Sequence, residues 1–124
     1  MGKRILIVED DSDIVEVVTR ILERKGYQVF IAMDGIAALE KARRESPDLI
    51  ILDLDLPKLS GEEVCKEIRR DEKLKITPVI MLTGKSSDVD KVVGRVIGAD
   101  QYLTKPFEIN TLLKVINETI GKVP

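Results

Sequence analysis

The 124-residue chain has no histidine, one cysteine, and an aromatic share of only 3%. Without histidine there is no His-based catalytic triad, no usual zinc site and no imidazole acid or base, so any chemistry must run on carboxylates, hydroxyls and lysine. The lone Cys65 has no partner for an internal disulfide and, in a helical stretch, reads as a small core residue. An excess of one charge is also missing: 20 Lys and Arg stand against 22 Asp and Glu, a net of -2. That balance argues against direct nucleic-acid binding or attraction to an anionic membrane. The run from Arg4 to Val8 is too short, and too soon followed by acids, to be a secretory signal, and no run approaches a membrane span. A cytoplasmic protein is expected.

What is present is a hydrophobic share of 44%, enough to bury one core, and residues 1–124 are expected to form one domain. Four short apolar runs, Ile5 to Val8, Val29 to Ala32, Leu49 to Leu52 and Val79 to Leu82, read as buried strands, with a fifth around Tyr102 and Leu103. They are continuous rather than alternating, the pattern of parallel strands covered on both faces. Helical stripes lie between and after them. One comprises Ile14, Val17, Val18, Ile21 and Leu22, another Val89, Val92, Val93, Val96 and Ile97, and a third Ile109, Leu112, Leu113, Ile116 and Ile120. Weaker stripes at Ala38, Leu39 and Ala42 and at Val64, Cys65 and Ile68 complete five helices. Gly26 can stop the first helix, and Ser46 and Pro47 break the second. The alternation predicts an α/β fold, a doubly wound five-stranded parallel sheet with right-handed crossovers.

In such a sheet, ligands bind beyond the carboxyl ends of the strands. The first strand ends in Glu9, Asp10 and Asp11, the third in Asp53, the fourth in Thr83 and Gly84, and the fifth in Thr104, Lys105 and Pro106. Three carboxylates at one rim repel unless a cation sits among them. Mg2+ suits an incomplete acidic cup, because it takes oxygen ligands and retains waters. With a metal and Lys105 to neutralise an incoming phosphoryl group, Asp53 can act as nucleophile, while Thr83 donates to a phosphoryl oxygen. Asp11 or Ser12 is the expected cap of the first helix.

The motifs ILIVEDD, PDLIILDLDLPKLSG, PVIMLTG and GADQYLTKPF, in this order and spacing, resemble the receiver domain of two-component response regulators from Arg4 to about Ile120. The resemblance implies a flavodoxin-like fold with strand order 2-1-3-4-5. It makes Asp53 the phosphoacceptor, Glu9 and Asp10 the acidic Mg2+ pair, and the main-chain carbonyl of Asp55 a further metal ligand. Thr83 and Lys105 bind the phosphoryl group, Thr83 and Tyr102 form the switch, and the Lys105–Pro106 peptide is cis. A histidine kinase or histidine phosphotransfer protein would dock on the first helix, Asp13 to Leu22. A downstream effector protein would read the surface from Val89 to Leu113.

Some positions depart from the family pattern. Asp55 adds an acid two residues after the acceptor, and Gly84 replaces a usual alanine. Lys91 and Asp100 match positions that pair in dimeric relatives, whereas Gln101, Thr111 and Val115 do not, so a monomer or weak dimer is expected. With no effector domain after Pro124, the chain reads as a complete single-domain regulator or as a receiver excised from a longer one. Two alternatives remain at this stage. One is a phosphorylation-independent receiver-like module. The other is a phosphatase resembling the haloacid dehalogenase family, suggested by Asp53, Leu54 and Asp55. In that family the pattern lies on the first strand rather than the third.

Overall fold

The computed structural model describes residues 2–84 and 98–121. Five strands, β1 (Arg4–Val8), β2 (Gln28–Ala32), β3 (Leu49–Asp53), β4 (Val79–Thr83) and β5 (Gln101–Thr104), form one sheet in the order β2-β1-β3-β4-β5. Every pairing is parallel. Four helices are described: α1 (Ser12–Arg24), α2 (Gly35–Glu45), α3 (Gly61–Arg70) and α4 (Ile109–Ile120). The helix expected over Val89 to Ile97 lies outside the described residues. None of the described helices is long and apolar enough to cross a membrane.

The helix boundaries follow local chemistry. Asp11 caps α1, its carboxylate accepting from the N–H groups of Asp13 and Ile14, so Asp11 rather than Ser12 fills that role. Asp34 caps α2 and Ser60 caps α3 in the same way. At the other end of α2, Ser46 takes a left-handed conformation with φ 47°, which turns the chain into Pro47 and β3.

The sheet separates two apolar clusters. Leu6, Val8, Ile50, Leu52 and Met81 point toward α2 and α3, and Ile5, Ile7, Leu49, Ile51 and Ile80 toward α1 and α4. Each fully buried Leu or Ile side chain contributes about 1.5–3 kcal/mol relative to exposure. Cys65 is buried in the first cluster, as its helical setting implied. The expectation that all five strands are buried on both faces holds for β3 and β4 but not for β2 and β5. In β2 only Ala32 is buried, and β5 has no fully buried residue. Both are edge strands, so one flank of each has no neighbouring strand to cover it. Lys41 tempers one such edge by donating to the Ile31 carbonyl at 3.1 Å.

Candidate functional site

Parallel pairing aligns the carboxyl ends of β1, β3, β4 and β5 along one rim. Val8 pairs with Leu52, Asp53 with Leu82 and Thr83 with Thr104, so the residues just past these pairs share one edge. The carboxylates of Glu9, Asp10 and Asp53 converge there, with one oxygen of each within 4.8 Å of the others. Glu9 is fully buried, Asp53 is 3% exposed and Asp10 is open to solvent. The cup therefore has two inner acids and one at its mouth.

Lys105 reaches into the cup from the end of β5. Its ammonium lies 2.7 Å from Glu9 Oε1 and donates to Asp53 Oδ2 at 3.1 Å. The Lys105 N–H also donates to the Thr83 carbonyl at 2.6 Å, which ties the lysine to the end of β4. The Lys105–Pro106 peptide is cis, as expected. Thr83 is 3% exposed, and Tyr102, opposite Met81, is half-buried against the α2–α3 side of the core. Asp55 is exposed, and its N–H donates to Asp53 Oδ1 at 3.1 Å.

Burial pushes the Glu9 carboxyl above its ordinary range. Lys105 and the Asp11 N–H oppose that rise, and the nearby Asp53 adds to it. For Lys105 burial alone would depress the ammonium, but Glu9 and Asp53 outweigh it and raise the pKa. Glu9 Oε1, although in ionic contact with Lys105, receives no aligned hydrogen bond. A buried acid with an incompletely served oxygen, two further carboxylates within reach and an open mouth match the oxygen-only, partly hydrated shell of Mg2+. The residues present fit that ion.

The family model for the response regulator receiver domain matches residues 5–117. The chain belongs to this family. Receivers are signalling modules of two-component systems. A Bacillus subtilis relative, the alkaline phosphatase synthesis transcriptional regulatory protein PhoP, is 51% identical over 119 residues, covering 94% of this chain. The chain spans about half of that relative's length, 49%. Among solved structures, the receiver domain of the Pseudomonas aeruginosa sensor histidine kinase PA1611, with a magnesium ion coordinated in its active-site cleft, is similar at TM-score 0.90 and 34% identity. It is covered fully and covers 98% of this chain. Chemotaxis protein CheY4 of Vibrio cholerae is similar at TM-score 0.91 and 37% identity, with 96% and 99% of the two chains covered.

The rim brings together Glu9, Asp10, Asp53 and Lys105, with Thr83 at the adjoining strand end, whereas Tyr102 lies back in β5 opposite Met81. Three supporting contacts escaped the sequence reading. The Asp11 N–H holds Glu9 Oε2 at 3.1 Å, so the cap of α1 also orients a site acid. The start of α2 touches the loop after Asp53, a contact foreshadowed only by the Asp34-Gly35 pair between a strand and a helix. Arg69 Nη2 donates to Asp100 Oδ2 at 2.9 Å, across 31 residues, with no local pattern to announce it. Beside the rim, an apolar groove of about 520 Å³ runs between α1 and the start of α4, lined by Ile14, Val17, Val18, Pro106, Phe107 and Ile109 along with Asp13, Gly84 and Lys105.

Proposed function

We propose that Asp53 accepts a phosphoryl group from a phosphohistidine of a histidine kinase or histidine phosphotransfer protein. The convergence of Glu9, Asp10 and Asp53 at the end of the central strand, with the Lys105 ammonium against Glu9 and Asp53, carries this reading. An Asp53 carboxylate oxygen attacks phosphorus, the phosphorus–nitrogen bond breaks, and the imidazole leaves and takes up a proton. The product is an aspartyl phosphate. Glu9, Asp10, Asp53 and the main-chain carbonyl of Asp55 would hold Mg2+, which supplies positive charge against the phosphoryl oxygens when bound. Lys105 adds a fixed charge on the same group, and the Thr83 hydroxyl donates to it.

Thr83 and Tyr102 then convert the new charge into a population shift of the face reaching from Val89 to Leu113, which an effector protein reads. The donor docks on α1 between Asp13 and Leu22, where the apolar groove borders Lys105. Asp100 Oδ2 already accepts from Arg69 and from the Val79 N–H at 2.8 Å, which supports a monomer or weak dimer over one built on that acid. The reaction is phosphorylation of the chain's own aspartate rather than turnover of a substrate, residues 1–124 act as one receiver unit, and the protein works in the cytoplasm without touching nucleic acid. Intact mass after incubation with acetyl phosphate tests this reading. One phosphoryl addition that needs Mg2+ and vanishes in Asp53→Asn is expected, and addition of the same size in the variant would refute it.

A further inference from the structure

The loop of residues 54–60 leaves the end of β3 and is braced from two sides. At its far end the Gly61 N–H donates to the Leu54 carbonyl at 2.9 Å, and a Cβ on Gly61 would overlap the Asp53 carbonyl oxygen. The second brace comes from α2, whose residues are remote in sequence. The Gly35 N–H donates to the Pro57 carbonyl at 3.4 Å, and Asp34 Oδ2 lies 3.6 Å from the Lys58 ammonium. A Cβ on Gly35 would overlap the Leu59 carbonyl oxygen and stand 2.5 Å from Leu59 Cβ. Between these contacts the loop is tightly wound, with Leu59 N–H donating to the Pro57 carbonyl at 2.7 Å and Lys58 at φ 68°.

We propose that Asp34 and Gly35 are positioning residues for the metal site: the start of α2 braces loop 54–60 and so fixes the main-chain carbonyl of Asp55 relative to Asp53. The inference rests on the reading of that carbonyl as a metal ligand. Gly35 stands at the helix start without a left-handed backbone, so an alanine there meets steric conflict and no dihedral strain. The conflict resolves in the loop, because α2 is anchored by buried Ala38, Leu39 and Ala42, whereas Leu59, packed against that cluster, is only partly buried and Asp55, Pro57, Lys58 and Ser60 are exposed. A displaced loop carries the Asp55 carbonyl away from Asp53, and Mg2+ is intolerant of altered ligand geometry. Asp34 acts on the same loop by holding Lys58 and by capping the helix through Ala37 N–H at 2.8 Å.

Calorimetric titration with Mg2+ of the full chain and four variants, each first verified as folded by circular dichroism, tests the inference. Gly35→Ala is expected to weaken Mg2+ binding by about tenfold or more, the usual size of an outer-shell effect. Asp34→Ala weakens it less, and Asp34→Ser, which restores a capping oxygen, recovers part of the loss. Ile116→Val trims the core on the opposite face of the sheet and serves as a matched loss of stability, with Mg2+ affinity unchanged. Wild-type affinity in a folded Gly35→Ala overturns the inference while leaving the phosphoacceptor reading intact. If Gly35→Ala does not fold, Asp34→Ala decides: weaker binding supports the brace and unchanged binding refutes it. Equal weakening in Ile116→Val would assign the effect to general destabilisation and refute it too. Absence of saturable Mg2+ binding in the wild type would instead remove both this inference and the reading beneath it.

Discussion

Replacing Lys105 by alanine removes the ammonium that stands 2.7 Å from Glu9 and 3.1 Å from Asp53. The Glu9 side chain is fully buried and that of Asp53 is 5% exposed, so two carboxylates remain confined together with no counter-charge. Breaking a buried pair by removing one partner costs about 3–5 kcal/mol, and the open mouth at Asp10 places this site at the low end, about 3 kcal/mol. For a chain of this length, at about 4 °C per kcal/mol, Tm falls by about 12 °C. Urea denaturation in EDTA measures the loss directly. Glu9→Gln in the Lys105→Ala background is expected to return part of it, because the excess buried charge is gone, with a coupling of about 0.5–3 kcal/mol. Saturating Mg2+ stabilises both proteins, by about 2.7 kcal/mol at a hundred times Kd, and narrows the gap by the extra affinity that the freed carboxylates give the variant. A Lys105→Ala protein as stable as the wild type in EDTA, or one that Glu9→Gln does not help, would refute the charge argument.

Three further outcomes follow from neighbouring contacts. Asp53→Asn removes a like charge beside Glu9 while sparing the fold, so the urea midpoint in EDTA is expected to rise; a fall would show that the Lys105 contact outweighs the repulsion. Asp11→Ala removes the cap of α1, costing about 1 kcal/mol by urea denaturation, and loosens the start of the helix whose N–H holds Glu9. An unchanged midpoint would contradict this. The Asp71 carboxyl is held below its ordinary value of 3.8, first by the Lys73 N–H and then by Arg43. A depressed acid stabilises above its unfolded pKa and loses that contribution as pH falls through the folded value. Asp71→Ala therefore melts below the wild type at pH 7, and the gap closes below pH 3.8; a gap independent of pH would refute the assignment.

Strands were legible because parallel burial writes itself as continuous Ile, Leu and Val, and each proposed run lies within one residue of a β-strand. What composition could not convey was position in the sheet. Val29 to Ala32 looks as apolar as Leu49 to Leu52, yet the former forms an edge and the latter the centre, a difference set by the order of pairing. The rim residues were readable for a related reason. Each ends a strand or directly follows one, so knowing where a strand ends is enough to place Glu9, Asp53, Thr83 and Lys105 together. Residues that support them from other elements were not readable. Gly35 meets Leu59 across 24 positions and Arg69 meets Asp100 across 31, and only the packing of helices on the sheet creates those contacts.

The most direct test of the central claim locates the modified atom. The protein is incubated with phosphoramidate, with and without Mg2+, reduced with borohydride, which converts an aspartyl phosphate to homoserine, and mapped by peptide mass spectrometry. Conversion confined to Asp53 and dependent on Mg2+ is the predicted result. Conversion at another carboxylate, or none at any position with Mg2+ present, would contradict the assignment of Asp53 as phosphoacceptor.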